Sequence, residues 1–316
     1  MRRLIARTLA TIVVATAAVA ANAPSAAAQG MVPVQGSGSV TVGYQTGLIN
    51  KHLLVDRSVG GVRIQSHALM VDFNVGLGRD FGLGVALPLV AAKYEGASPH
   101  IPNAGELLLH PDFTLLDDGK YHAAFQDVRF ELRYAWSHNG LHAMPFVTVI
   151  LPSHNYEFLS HAAPGRRVKE VRLGVAIHRL LNPLSAKSYV QSHAAYAFQE
   201  EIAGVSRSAT HLNVEGGYFV RWDLTVFGGA YFHVTHGGID LYGDPRVDFF
   251  GPFFINHDRI VRERMLNLGG GAAYKLSDKY SVGGTISRTV SGINGHGQAF
   301  VLTLGFSRSF GGSHGH

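Results

Sequence analysis

The stretch "DVRFELRYAW", residues 127–136, alternates without interruption. Val128, Phe130, Leu132, Tyr134 and Trp136 share one parity, and Asp127, Arg129, Glu131 and Arg133 share the other. A period of two is that of a β-strand, here with one apolar and one charged face. Two environments accept such a strand. The apolar face packs on a soluble core while the charges meet water, or it meets lipid while the charges line the inside of a barrel.

The same grammar recurs along the chain. Val40, Val42, Tyr44, Thr46 and Leu48 share a parity, as do Leu69, Val71, Phe73, Val75 and Leu77. Further sets are Phe81 to Leu89, Val171 to Ile177, Leu212 to Tyr218, Leu224 to Val234, Leu266 to Tyr274, and Phe300 to Phe310. Segments 141–152 and 187–200 are less clear, the first being apolar on both faces. About twelve strands of ~10–14 residues emerge, long enough for the ~9–11 residues that a barrel strand needs to cross hydrocarbon. Short connections at Arg79-Asp80, His138 to Gly140, Asn182 to Ala186, Trp222-Asp223 and Ser277 to Lys279 alternate with longer ones at 50–65, 94–122, 154–166, 200–206, 236–262 and 292–297. Outer-membrane barrels keep that order, with short periplasmic turns and longer outer loops. Aromatic residues gather near strand ends, at Tyr134 and Trp136, Tyr218 and Trp222, and Tyr274 and Tyr280, which suits an interfacial girdle.

The N-terminus has a basic start at Arg2 and Arg3, an apolar run from Leu4 through Ala21, and an A-x-A site at Ala26-Ala27-Ala28. This reads as a cleaved secretory signal peptide over residues 1–28, followed by a linker at 29–38, a barrel over 39–310 and a disordered His/Gly tail at 311–316. There is no cysteine, which excludes disulfides and thiolate metal sites. Of the net charge of +5, three units belong to Arg2, Arg3 and Arg7, so the basic balance is no argument for nucleic-acid binding. Glycine is abundant and no long 3.6-residue period is found, which suits an all-β chain. The predicted fold is therefore a closed antiparallel transmembrane β-barrel of about twelve strands in the cell outer membrane, whose edges must close because lipid cannot hydrate them. A soluble secreted β-sandwich is the alternative fold.

Several stretches resemble one family. "DFGLGVALPLV" (80–90), "FQDVRFELRYAW" (125–136), "MPFVTVILPSHNYE" (144–157), "KEVRLGVAIHR" (169–179) and the ending "HGQAFVLTLGFSRSF" (296–310) are similar to bacterial outer-membrane, transporter-like barrels associated with meta-pathway phenol degradation. The resemblance spans most of the mature chain through loose motifs. It implies passage of hydrophobic aromatic compounds and brings no catalytic motif. One departure is the C-terminus: Phe310 stands where such barrels end on an aromatic, but Gly311 to His316 follow it, and Arg308 replaces the usual apolar residue two places earlier.

The lumen of such a barrel is expected to hold Asp127, Arg129, Glu131, Arg133, Glu170, Arg172, His211, Glu215 and His233. These form either a polar solute path or a set of mutually satisfied salt bridges. The segment "VDFFGPFFIN" carries Phe249, Phe250, Phe253 and Phe254 in 236–262, one of the longest outer loops, as a hydrophobic gate, a ligand loop, or packing at the rim. Loop 94–122 carries Leu107 to Leu109 and Leu115-Leu116, so the two loops could cap the barrel together. The chain has 18 histidines. His211 and His233 become cross-strand partners if a hairpin closes around Trp222, with Glu215 and Tyr231 nearby. Two histidines and one carboxylate fall short of the three or four convergent ligands that a metal needs, so neither metal nor cofactor is expected. Ser291 and His296 have the residue types of a lipid hydrolase but match no hydrolase motif, and "SGINGHG" reads better as a glycine-rich loop. The expected function is passive or gated passage of small compounds, hydrophobic or aromatic ones included. A non-conducting structural or adhesive barrel is second and an outer-membrane lipid hydrolase third. The expected partners are outer-membrane lipid, lipopolysaccharide, the barrel-insertion machinery and a small solute, with no nucleic acid.

Overall fold

Antiparallel pairing runs from the first strand to the last and then back to the first. The computed structural model describes residues 32–56, 59–96, 116–182, 185, 187–240, 244 and 252–311. Within them lie β1 (Gly38–Leu53), β2 (Val59–Gly78), β3 (Phe81–Tyr94), β4 (His122–Phe125), β5 (Asp127–Tyr134), β6 (Trp136–His138), β7 (Leu141–Pro152), β8 (Glu170–Leu180), β9 (Ser188–Gln199) and β10 (Arg207–Phe219). They continue with β11 (Leu224–Gly237), β12 (Arg264–Lys275), β13 (Tyr280–Ile293) and β14 (Gly295–Phe310). Segments β4, β5 and β6 follow one another along a single traverse, so the wall is twelve-stranded. The β1–β14 ladder, from Gly38↔Phe310 to Leu53↔Gly295, closes it. Two short helices, α1 (Pro252–Ile255) and α2 (His257–Ile260), lie between β11 and β12. Among the described residues no helix is long and apolar enough to cross a membrane; the chain crosses with strands.

The register answers the question raised by residues 127–136. Arg129 pairs with Ala86 and Ile150, Glu131 with Gly84 and Thr148, and Arg133 with Gly82 and Phe146. All lie on the inner face, whereas Phe130, Leu132, Tyr134 and Trp136 stand exposed on the outer one. Around the barrel the outward set is apolar: Val42, Tyr44, Leu69, Val71, Phe73, Leu173, Leu212, Val214, Leu268, Ile286 and Leu304 are all exposed. A continuous apolar belt of that extent belongs in lipid, not in water. At the end with the short turns, the belt finishes on Tyr134, Trp136, Tyr218, Trp222 and Tyr280. Arg288 and Arg308, whose parity is outward, sit towards opposite ends of their strands, and the Arg308 guanidinium lies 6.0 Å from the centre of the Tyr280 ring.

Tight turns fix the periplasmic end. Arg79 and Asp80 (φ 51° and 64°), then Asn139 and Gly140 (φ 48° and 75°), take the left-handed pairs that match strand twist in two-residue hairpins. Inside that end, Gln35 bridges Gly76, and Val32 lies over Gly82, where a Cβ would come within 2.9 Å of Val32 Cγ1. The N-terminal segment therefore lies against the inner face of β2 and β3.

The two less clear segments, 141–152 and 187–200, are strands, β7 and β9. Two expectations change. The long outer connection at 50–65 shrinks, because β1 continues to Leu53 and β2 begins at Val59. The long loop at 292–297 is a tight turn: β13 reaches Ile293, β14 starts at Gly295, and Asn294 between them has φ 52°. The glycines that suggested a loop instead pack in strands, Gly292 beneath Met265 and Gly297 beneath Lys51. The β13–β14 ladder runs from Tyr280↔Arg308 to Ser287↔Val301. Beyond it, β13 continues on β12 as far as Ile293↔Arg264 and β14 continues on β1.

Candidate functional site

The lumen is mixed. On β1 to β3 the inward face buries Ile49, Ile64, Ala68, Met70, Val90 and Tyr94 beside the polar Gln45 and Ser66. From β5 to β11 most of the large inward side chains are charged or polar, with Met144 and Phe146 buried among them, and the charged ones pair with one another or with β2. Arg129 binds Asp72 at 3.0 Å, and Arg133 reaches both Asn74 and Glu131. The Thr148 hydroxyl donates to Glu131 at 2.9 Å. Glu170 accepts from Arg172 and Gln199. Glu215 accepts from the Tyr189 hydroxyl at 2.7 Å and the Gln191 amide at 2.8 Å. Asp127 accepts from the Tyr156 hydroxyl.

His211 and His233 face each other across β10 and β11 with ring centroids 4.6 Å apart. Each has its own partner: His211 Nδ1 is 2.7 Å from the Tyr231 hydroxyl, and His233 Nδ1 is 3.1 Å from Glu263. Glu215 is engaged by Tyr189 and Gln191, so this pair and that carboxylate do not converge as a metal site.

What the alternation could not show is that two outer segments fold inwards. Segment 153–169 buries Tyr156, Phe158, Ala162, Ala163 and Val168. Segment 252–263 buries Phe254, Ile260 and Val261, and Phe253 packs on the cluster of Val168, Ile202, Val205, Ile239 and Ile260. Phe249 and Phe250 lie outside the described residues, as do Leu107 to Leu109, Leu115, residues 1–31 and the tail beyond Gly311. The two inward segments are locked together by cations. Phe158 has the Arg167 guanidinium on one contact and that of Arg259 on another, each 4.5 Å from the ring centre. Arg259 also donates to the Arg167 carbonyl at 2.9 Å.

Glu263 is the hub of the closure. Arg207 donates to it at 2.9 Å, His233 stands 3.1 Å away and Arg166 3.7 Å. Burial raises this carboxyl, but the His233 hydrogen bond and the charges of Arg207 and Arg166 outweigh it, holding the group well below the usual carboxylate range. Asp258 on α2 shows the opposite balance: burial dominates and pushes it well above that range. None of Arg166, Arg207, Tyr156, Phe158 or Glu263 stood out in the sequence. Tyr156, Phe158 and Arg166 had as their only signal the run of apolar and cationic residues in "HNYEFLSHAAPGRR" (154–167), too aperiodic to assign a face, and Arg207 and Glu263 lie outside it.

Beneath these segments the lumen opens into two cavities. One, with about 1310 Å³ of empty space continuous with solvent, is lined by both polar and apolar groups, among them Gln45, Asn267, Phe227, Met265 and Val301. The outward-facing Leu268 and Ile286 also reach it, at the height where β13 and β14 part. The other, with about 880 Å³ of empty space likewise continuous with solvent, is lined by residues that include Arg129, Arg166, Arg172, Asp127 and Glu170. Tyr231 and His233 border both.

The family described as "Putative MetA-pathway of phenol degradation" matches residues 33–300. The chain belongs to this family. Among solved structures, an outer-membrane channel from Pseudomonas putida F1 is similar in fold, with a TM-score of 0.66 at 15% identity over 92% of this chain and 100% of that one. The translocator domain of the autotransporter NalP from Neisseria meningitidis scores 0.48 at 11% identity, over 88% of this chain and 90% of that one. A search of the curated proteins returns no match. The lipid-facing belt and the closed wall make the family member described here an outer-membrane β-barrel.

Proposed function

We propose that this barrel is a gated path for small apolar or aromatic compounds across the outer membrane, with segments 153–169 and 252–263 as the gate. The observation that carries the reading is the mixed polar and apolar cavity directly beneath segment 252–263, where Asp258, Val261 and Glu263 form part of its wall. A path for ions needs a wet, charged bore, but here the charges of both signs are spent on one another. The apolar groups on the inner face of β1 to β3, Ile49, Ile64, Met70 and Val90, have no use in ion passage. They suit a solute whose own surface is apolar. Such a compound needs help because the lipopolysaccharide leaflet resists it. The family's association with phenol degradation supports the same class of solute.

The test is uptake of a fluorescent apolar probe by Gram-negative cells with an intact lipopolysaccharide leaflet, with and without the protein. Faster entry that saturates with probe concentration supports the reading. Entry equal to that of control cells, with the folded barrel shown to be in the membrane, overturns it. The locked segments favour one second reading, a non-conducting structural barrel, which predicts that equal entry. The hydrolase reading gains no support: Ser291 is exposed, and the ring contacts of His296 are with His52 and His161.

A further inference from the structure

The β1–β14 ladder carries two irregularities at its outer end. Leu48 pairs with Phe300 but Ile49 pairs with Gln298, and Lys51 then pairs with Gly297. Ala299 and Asn50 are thus extra residues, one on each strand. A bulge reverses the alternation beyond it. His52 has the parity of the lipid-facing Leu48, and His296 that of the lipid-facing Phe300, yet beyond the bulges both turn inwards and pair with each other. Segment 153–169 brings His161 to the same place. The His52 ring lies 4.7 Å from that of His296 and 5.5 Å from that of His161.

We propose that His52, His161 and His296 bind a divalent transition-metal ion, of the kind that imidazole prefers. One nitrogen from each residue can be chosen so that all three lie within 4.8 Å of one another. A tetrahedral ion with nitrogen at 2.0–2.1 Å wants its donors about 3.4 Å apart, so a small rotation of each ring completes the set. His52 and His161 are 2% and 1% exposed, and His296 borders the larger cavity. That arrangement gives a buried site with one side open to a ligand. A metal-bound imidazole characteristically hands its other N–H to a carboxylate. His161 has that partner: its Nδ1 is 3.2 Å from Asp117, itself fixed by the Ser160 hydroxyl and the Ala162 amide. Three neutral imidazoles without a coordinating carboxylate select zinc, copper or nickel over calcium or magnesium. The ion would tie three separate chain segments together across the strand pair that closes the barrel.

The test is zinc titration by calorimetry of the full mature barrel, refolded in detergent and stripped with chelator. Cobalt is added in parallel as a spectroscopic probe. Every sample carries His314→Ala and His316→Ala, so that the tail does not bind. The expected result is one zinc per chain and a cobalt spectrum of four-coordinate type. His161→Ala should abolish that binding while the barrel still migrates as a folded species. Asp117→Asn should weaken it roughly 10–100-fold, as loss of an outer-sphere carboxylate does. If His161→Ala disturbs folding, His296→Gln replaces it with the same expectation. Absence of zinc binding, or binding unchanged by both substitutions, would overturn the proposal and leave the three rings as packing beside Tyr94.

Discussion

Glu263 concentrates the chemistry of the closure in one side chain. Replacing it by Gln strands Arg207, whose side chain is almost wholly buried against it. Breaking a buried pair of this kind costs about 3 kcal/mol. The urea midpoint of refolding into detergent should fall accordingly. The pH dependence has a definite sign. The Glu263 carboxyl lies below its ordinary value of 4.5, so its contribution is present above that pH and is lost as pH falls towards the folded value. Asp258 lies above its ordinary 3.8, so it costs stability as pH rises from there through its folded value. Glu263→Gln should therefore flatten the acid loss of stability, measured as midpoint against pH. Asp258→Asn should raise the midpoint at neutral pH, and a lower midpoint there would contradict the burial argument. At this scale, parity was legible. Asp127 through Arg133 could be assigned a face from alternation alone, whereas His52 and His296 could not, because a single extra residue inverts everything after it.

Secondary-structure elements were legible where both faces differed in polarity. They were obscure where glycine or apolar residues filled both parities, as in β7 and in the β13–β14 turn. Folded-in segments have no period at all, so nothing in their spacing announced that 153–169 and 252–263 enter the mouth. Their hold on each other includes the Arg259 guanidinium on the Phe158 ring and its bond to the Arg167 carbonyl. A guanidinium on a ring contributes about 0.5–2 kcal/mol. Phe158→Ala should loosen the gate without touching a strand. Uptake of the apolar probe by cells should rise above that of the parent barrel. Identical uptake by the two proteins, at equal amounts of folded barrel, would remove Phe158 from the gate.

For the whole molecule, the strand number, the closure and the membrane-facing belt followed from repetition, because every strand restates the same rule. The contents of the lumen did not, since they depend on which loops return to it. Closure itself depends on the last strand. Phe310 pairs with Gly38, and its ring stacks on Phe73 at 5.6 Å. Ending the chain after Arg308 should lower the yield of heat-modifiable, compactly migrating protein on gels, whereas removing only residues 312–316 should leave that yield unchanged.

The N-terminal segment lying against Gly76 and Gly82 constrains the order of assembly. A chain exported from its N-terminus delivers this segment first, while β14, which completes the wall, arrives last. The segment has to be in position before the ring is sealed around it or pass back through the periplasmic opening afterwards. Sealing is also what brings β14 beside β1. Bulky folded cargo fused ahead of Val32 would then obstruct biogenesis even where it left the finished barrel unharmed, and its effect would appear in maturation rate rather than in final stability.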